Sequence, residues 1–222
     1  MRTLYHMVLS PHCRTVRLIL GEKGLEYELR TEKTWERREG FLRLNPAGKV
    51  PVLVEEDGRH FADAGAIAEY LDEKYREPPL LGADPESRAE VRRLVSWFDG
   101  KFHQEAGRPL IHEKLMKRFL GMGQPQGEVI RGAVRNLKIH LNYISYLAER
   151  RNYLAGEAVT LADLAAAAHL SVADYLGHVD WDAHPHAKDW YIKVKSRKSF
   201  RPLLADRIAG LQPPKYYGEL DF

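Results

Sequence analysis

Hydrophobic and polar positions along the chain change their period about a third of the way in. Near the start, Leu4 and Tyr5 lead into Met7, Val8 and Leu9, a short apolar run that predicts a buried strand over residues 2–9. Ser10-Pro11-His12-Cys13 breaks it, and Val16, Leu18, Ile19 and Leu20 then form a helical face that stops at Gly24. A second strand is expected over residues 25–29. Connections this short require the helix to cross one sheet face, which favours a parallel strand pair. Asn45-Pro46-Ala47-Gly48 is turn chemistry, Val50-Pro51-Val52-Leu53-Val54 reads as a strand, and Asp57-Gly58 marks a tight hairpin into residues 59–61. Asp63 is placed to cap a helix over 64–75 whose apolar face is Ile67, Tyr70 and Leu71.

At Glu77-Pro78-Pro79-Leu80-Leu81-Gly82 the composition shifts, and beyond it the pattern is helical. Ile130, Val134, Leu137, Leu141, Ile144 and Ala148 recur at intervals of three and four, one stripe along one helix. Residues 111–120 read as a basic amphipathic piece. Gly121, Gly123, Pro125 and Gly127 then exclude helix and predict a mobile or specialised loop. The expected division is residues 1–76, a linker over 77–84, an all-helical domain over 85–210 and a tail over 211–222.

Charge and composition narrow the function classes. The 34 Lys and Arg residues against 31 Asp and Glu give a net charge of +3, and acids and bases are mixed almost everywhere, a weak footprint for nucleic-acid binding. A hydrophobic content of 44% is enough for a core. The one cysteine, Cys13, allows no internal disulfide and fits a reducing, cytoplasmic setting. No apolar run approaches the roughly 20 residues that span a bilayer, and the first residues lack a signal peptide's apolar segment, so neither membrane insertion nor export is expected.

Taken together, Ser10-Pro11-His12-Cys13 with Val16-Arg17 and Glu22-Lys23-Gly24-Leu25, Asn45-Pro46-Ala47-Gly48-Lys49-Val50-Pro51-Val52-Leu53, and Thr160-Leu161-Ala162-Asp163 after Tyr153-Leu154-Ala155-Gly156 resemble the cytosolic glutathione S-transferase superfamily. The resemblance implies a thioredoxin-like N-terminal domain followed by a C-terminal helical bundle, a homodimer, and a glutathione groove. That groove would be made by Ser10, Val50, Pro51, Asp63 and Ala64. Val50-Pro51 in cis would turn the Val50 backbone toward an extended peptide, which would add like a short strand. Ser10 would donate a hydrogen bond to a ligand thiolate, as in serine-type members, or cap the first helix. Cys13 is the alternative nucleophile, favoured by the helix dipole, or a small residue packed under the helix. Thr160 and Asp163 make a reciprocal capping pair that fixes one helix in the core.

One position departs from the family. Where an acidic-Ser pair usually opens the third helix and holds the γ-glutamyl end, this chain has Asp63-Ala64. A lost hydrogen bond to a charged group is worth about 1.5–3 kcal/mol, or on the order of 10- to 150-fold in affinity. Weak glutathione binding or none is expected, with no other cofactor.

The tail, Pro213-Pro214-Lys215-Tyr216-Tyr217-Gly218-Glu219-Leu220-Asp221-Phe222, is similar to that of a transferase-like branch of alphaproteobacterial division proteins, as are Lys117-Arg118-Phe119 and Gly121-Met122-Gly123-Gln124-Pro125. That likeness implies binding to filaments of the tubulin-like protein FtsZ at the division site. Tyr216, Tyr217, Leu220, Asp221 and Phe222 would then be a docking peptide, for FtsZ or a further division protein, or else an idle terminus. The alternative function is a serine-type glutathione transferase acting on small electrophiles. His178, Asp180, Asp182, His184 and His186 crowd a short stretch around Trp181, but their spacing fits no metal motif and reads as a solvated loop. Lys188, Lys193, Lys195, Arg197 and Lys198 scatter around a helix axis and read as a solvated face.

Overall fold

The computed structural model describes residues 1–220. Its N-terminal part runs β1 (Arg2–His6), α1 (Pro11–Glu22), β2 (Tyr27–Thr31), α2 (Glu39–Leu44), β3 (Val52–Val54), β4 (His60–Ala62) and α3 (Ala64–Lys74). The sheet order is β2-β1-β3-β4. β1 pairs in parallel with β2, with Leu4 opposite Leu29, and antiparallel with β3, with Leu4 opposite Leu53. The expected crossover is therefore present. β1 ends at His6, earlier than expected, because the Ser10 amide turns back to the Met7 carbonyl at 3.0 Å. β2 starts two residues later than expected, at Tyr27.

α3 ends at Lys74, and the chain to the next helix is tied down rather than loose. The Asp72 carboxylate accepts from the Leu80 and Leu81 amides and from Lys23 Nζ, and both leucines are buried. Glu77-Pro78 is cis.

The helical part opens with α4, whose first segment is Pro85–Ser96, capped by Asp84. Helical backbone then carries on through two stretches of wider, π-type winding, Trp97–Gly107 and His112–Met116, to Lys117–Leu120. Pro109 explains part of this. It has no N–H to give the carbonyl of Glu105 four residues earlier and its ring crowds that turn. The Asn136 side chain donates to this carbonyl instead, at 3.0 Å. The loop expected over 121–127 is present, and its end is fixed by the Gln126 amide on the Glu113 carboxylate, at 2.7 Å.

α5 (Gly127–Arg150) buries Leu137, Leu141 and Ile144 of the predicted stripe. α6 (Leu161–Tyr175) is buried along its whole length. Its run Ala165 to Ala168 is small enough for neighbouring helices to pack closely, and it sits against α1, so one helix is the spine of both parts. The Asp163 carboxylate accepts from the Thr160 amide and hydroxyl, from the Leu154 amide and from Trp190 Nε1, all within 3.0 Å. The expected cap is thus also a four-donor buried knot. α7 (Pro185–Lys195) and α8 (Arg201–Leu204) close the bundle. Gly21 of α1 must be glycine here, since a Cβ would lie 2.9 Å from Ser199 Cα in the segment between α7 and α8.

Two expected solvated stretches differ. Trp181 and His184 are buried, with Trp181 stacked on Tyr191 and bonded to Asp174, and Lys195 has no exposed surface. Period alone cannot show that these polar residues line a helix–helix contact. Among the described residues no helix is long and apolar enough to cross a membrane.

Candidate functional site

A cavity of about 720 Å³ lies between the sheet domain and α4. Ser10, Val50, Pro51, Asp63 and Ala64, the five groove residues read from the sequence, all line it. Ser10 sits at the N-cap of α1, where its hydroxyl accepts from the Cys13 amide at 3.3 Å. Capping uses an acceptor lone pair and leaves the O–H able to donate into the cavity. Asn45 shapes the next wall: its side chain accepts from the Ala47 amide at 3.1 Å and donates to the Lys49 carbonyl at 2.8 Å. Val50-Pro51 is cis, and the sheet ladder begins only at Val52. Asp63 has φ of 79°, unusual for a residue with a side chain, and its carboxylate caps α3 by accepting from the Gly65 and Ala66 amides.

The opposite wall belongs to α4, with α6 packed behind it. Asp99 and His103 project from the first wide stretch of α4, and His169 comes from the middle of α6. His169 Nε2 lies 2.8 Å from Asp99 Oδ1, and His12 Nε2 of α1 lies 4.0 Å from the same oxygen. The His103 ring meets His12 edge-on at 4.7 Å and His169 at 5.4 Å. Burial pushes the His103 imidazole down to about 3, helped by His169 and His12 beside it, so it is neutral near pH 7. His12 is also lowered, by burial first and then by His169.

This histidine–aspartate group was not legible as a site in the sequence. Asp99 and His103 stand four apart, the one local signal, while His169 is isolated among alanines. Of the crowded stretch from His178 to His186, no three residues converge. Among the described residues the one group of three or more metal-type ligands is His12, Asp99 and His169.

Cys13 is corrected as a nucleophile. It is fully buried, and burial pushes its thiol up to about 11, so the helix dipole does not produce a thiolate. Tyr217 is corrected as a docking residue. It is 1% exposed, its ring packs edge-on against Tyr175, and its hydroxyl accepts from Arg14. Tyr216 is half-buried against the core and Leu220 is exposed. Asp221 and Phe222 lie outside the described residues.

Residues 4–79 match the glutathione S-transferase N-terminal domain and residues 114–198 its C-terminal domain. The chain belongs to the glutathione S-transferase family. Among its family relatives, FtsZ-localized protein A of Caulobacter vibrioides is 49% identical over all of this chain and 98% of its own length. The solved structure of FzlA from C. crescentus superposes with a TM-score of 0.96 at 50% identity, covering 100% of this chain and 99% of the other. A glutathione S-transferase from Rhodospirillum rubrum F11 superposes at 0.98 with 55% identity and full coverage of both chains. Within this family frame the groove has kept its cis-proline wall and its Ser10, while Ala64, 5% exposed, presents a methyl where the family pattern has a hydroxyl.

Proposed function

We propose that this chain is a glutathione S-transferase-fold binding protein that associates with FtsZ filaments in the cytoplasm at the division site, with little or no glutathione transferase activity. The observation that carries this reading is the likeness to the Caulobacter FtsZ-localized protein, at 49% identity over all of this chain and 98% of that protein. Local chemistry supports the second half. Cys13 is buried and protonated, and the anchor position at Ala64 lacks a hydroxyl, so the groove has lost one hold on a charged ligand end.

An isologous homodimer would present two copies of any filament-binding face, and two weak contacts on neighbouring filament subunits gain strength through effective concentration. The C-terminal end serves this reading as a separate contact, for FtsZ or another division protein. Tyr217 anchors its base in the core, while Leu220 beyond it is exposed. The test is co-sedimentation of the purified full chain with GTP-polymerised FtsZ, alongside retention on glutathione resin. Pelleting with filaments and passage through the resin is the expected result. A chain that stays in the supernatant, is held by the resin and turns over a chloronitrobenzene overturns the reading in favour of a Ser10-dependent transferase.

A further inference from the structure

At the inner wall of the cavity His12 and Asp99 line the space, and the buried His169 stands directly behind them. His12 begins α1, Asp99 lies on α4 and His169 on α6, three elements far apart in sequence. One ligating atom from each falls within 4.8 Å of the other two. We propose that His12, Asp99 and His169 bind one divalent transition-metal ion of the zinc class, as three protein ligands whose remaining coordination position opens to the cavity.

Two imidazoles and one carboxylate make a donor set that zinc accepts in sites with three protein ligands and a free position. Bonds of about 2.0–2.2 Å in a tetrahedral shell hold donor atoms roughly 3.3 Å apart. Two of the three separations, 2.8 Å from His169 to Asp99 and 4.0 Å from His12 to Asp99, lie on either side of that spacing, and the third pair lies within 4.8 Å. His169 is fixed by burial, while the His12 side chain is 28% exposed, so the adjustment that closes the shell falls to His12.

Charge points the same way. The ion-pair partners of Asp99 among the described residues are His12 and His169, with no lysine or arginine among them. A carboxylate that is 22% exposed and faces only imidazoles lacks the permanent positive charge that usually accompanies it, and a dication supplies it. His103, packed against both imidazoles, shields one side of the position from solvent. Ser10 and Arg108 line the same cavity, so water or an anionic donor entering the groove would complete the shell. Because the three ligands join α1 to α4 and α6, the ion would also stabilise the packing of the two domains by linkage.

The experiment uses the full chain, stripped with a chelator and titrated with zinc by calorimetry, and with cobalt followed by its visible absorption. One equivalent of zinc, tetrahedral-type cobalt bands, and a zinc-dependent rise in melting temperature are expected. His12→Ala and Asp99→Asn should each weaken zinc by roughly tenfold or more. The double variant His184→Ala, His186→Ala should bind as the parent does. Circular dichroism melts establish that each variant is folded, and His12→Ala, changing a partly exposed side chain at the start of α1, remains informative if Asp99→Asn is not. A parent chain that takes up no zinc, or a folded His12→Ala that binds it unchanged, overturns the proposal. Loss of binding in the His184, His186 variant instead assigns the metal to that loop and overturns it as well.

Discussion

Arg14 Nη1 donates to the Tyr217 hydroxyl at 3.1 Å, between a helix near the start of the chain and a tyrosine near its end, both buried. The same guanidinium also donates to the Val8 carbonyl, Ser171 Oγ and Asp206 Oδ2. Four acceptors around one buried cation are what makes its desolvation tolerable. The tail therefore belongs to the folded core as far as Tyr217.

Tyr217→Phe is accordingly expected to lower stability by about 1.5–3 kcal/mol, the cost of a lost hydrogen bond to a charged group. Tyr217→Ala should cost about 3–5 kcal/mol, since it also leaves a cavity against Tyr175. Removal of residues 213–222 should destabilise at least as much, because it takes Tyr217 away from Arg14. Urea denaturation measures all three, read as a lower midpoint at unchanged slope. A truncated chain with the parental midpoint would show that the Arg14 cluster closes without the tail.

Parts of this architecture were legible because they are local. Asp63 and Ser10 cap helices as their positions before apolar runs suggest, and the Asn45-Pro46 turn leads into a cis proline as the family likeness implied. The Thr160 to Asp163 spacing named the cap, but not Trp190 as a further donor, which arrives from 27 residues away. Tyr217 was misread because aromatic residues near a terminus look alike whether they face outward or inward. The metal-type group escaped notice because its three members meet only through the packing of α1, α4 and α6. Part of the unusual winding of α4 follows from Pro109, and the Asn136 side chain that serves the freed Glu105 carbonyl is connected to it by no local rule.

The Asp163 knot makes its own prediction. Oδ1 accepts from the Leu154 amide and Trp190, and Oδ2 from the Thr160 amide and hydroxyl. Asp163→Ala orphans several buried donors at about 1–3 kcal/mol each, so the chain should be largely unfolded or recovered only as aggregate. Asp163→Asn keeps one carbonyl oxygen and so one pair of bonds, and should fold with a reduced denaturation midpoint. Equal midpoints for parent and Asp163→Asn would contradict the assignment of bonds to both oxygens.

His6 supplies a pH dependence. It is 3% exposed, its Nδ1 has no hydrogen-bond partner, and burial, with Arg17 nearby, pushes it down from 6.5 to about 4. The unfolded chain binds this proton more readily than the folded one, so the contribution is full above about pH 6.5 and is lost as pH falls toward 4. Its size is on the order of 3 kcal/mol. His6→Phe should flatten the fall in stability across that window. Asp174, pushed up to about 6 by burial, acts in the opposite sense but is common to both proteins and cancels in the difference. Parallel stability curves for parent and variant would exclude His6 as the source.

The groove's missing hydroxyl can be restored. Ala64 opens α3 directly after Asp63, lines the cavity, and is 5% exposed. The Asp63 carboxylate is already occupied by the Gly65 and Ala66 amides, so it does not replace a hydroxyl donor at the next position. Ala64→Ser adds that donor on the backbone geometry already present, and a serine at the first helical position carries little propensity cost. Glutathione affinity should rise by roughly 10- to 150-fold over a weak parental value, the range for one hydrogen bond to a charged ligand group. Calorimetry reads the change, and a Ser10→Ala, Ala64→Ser double variant tests whether the restored anchor works with the thiol end or alone. A parent that already binds in the low micromolar range, with no gain in Ala64→Ser, would mean that the γ-glutamyl end is held elsewhere. The groove would then be a working glutathione site despite its altered anchor.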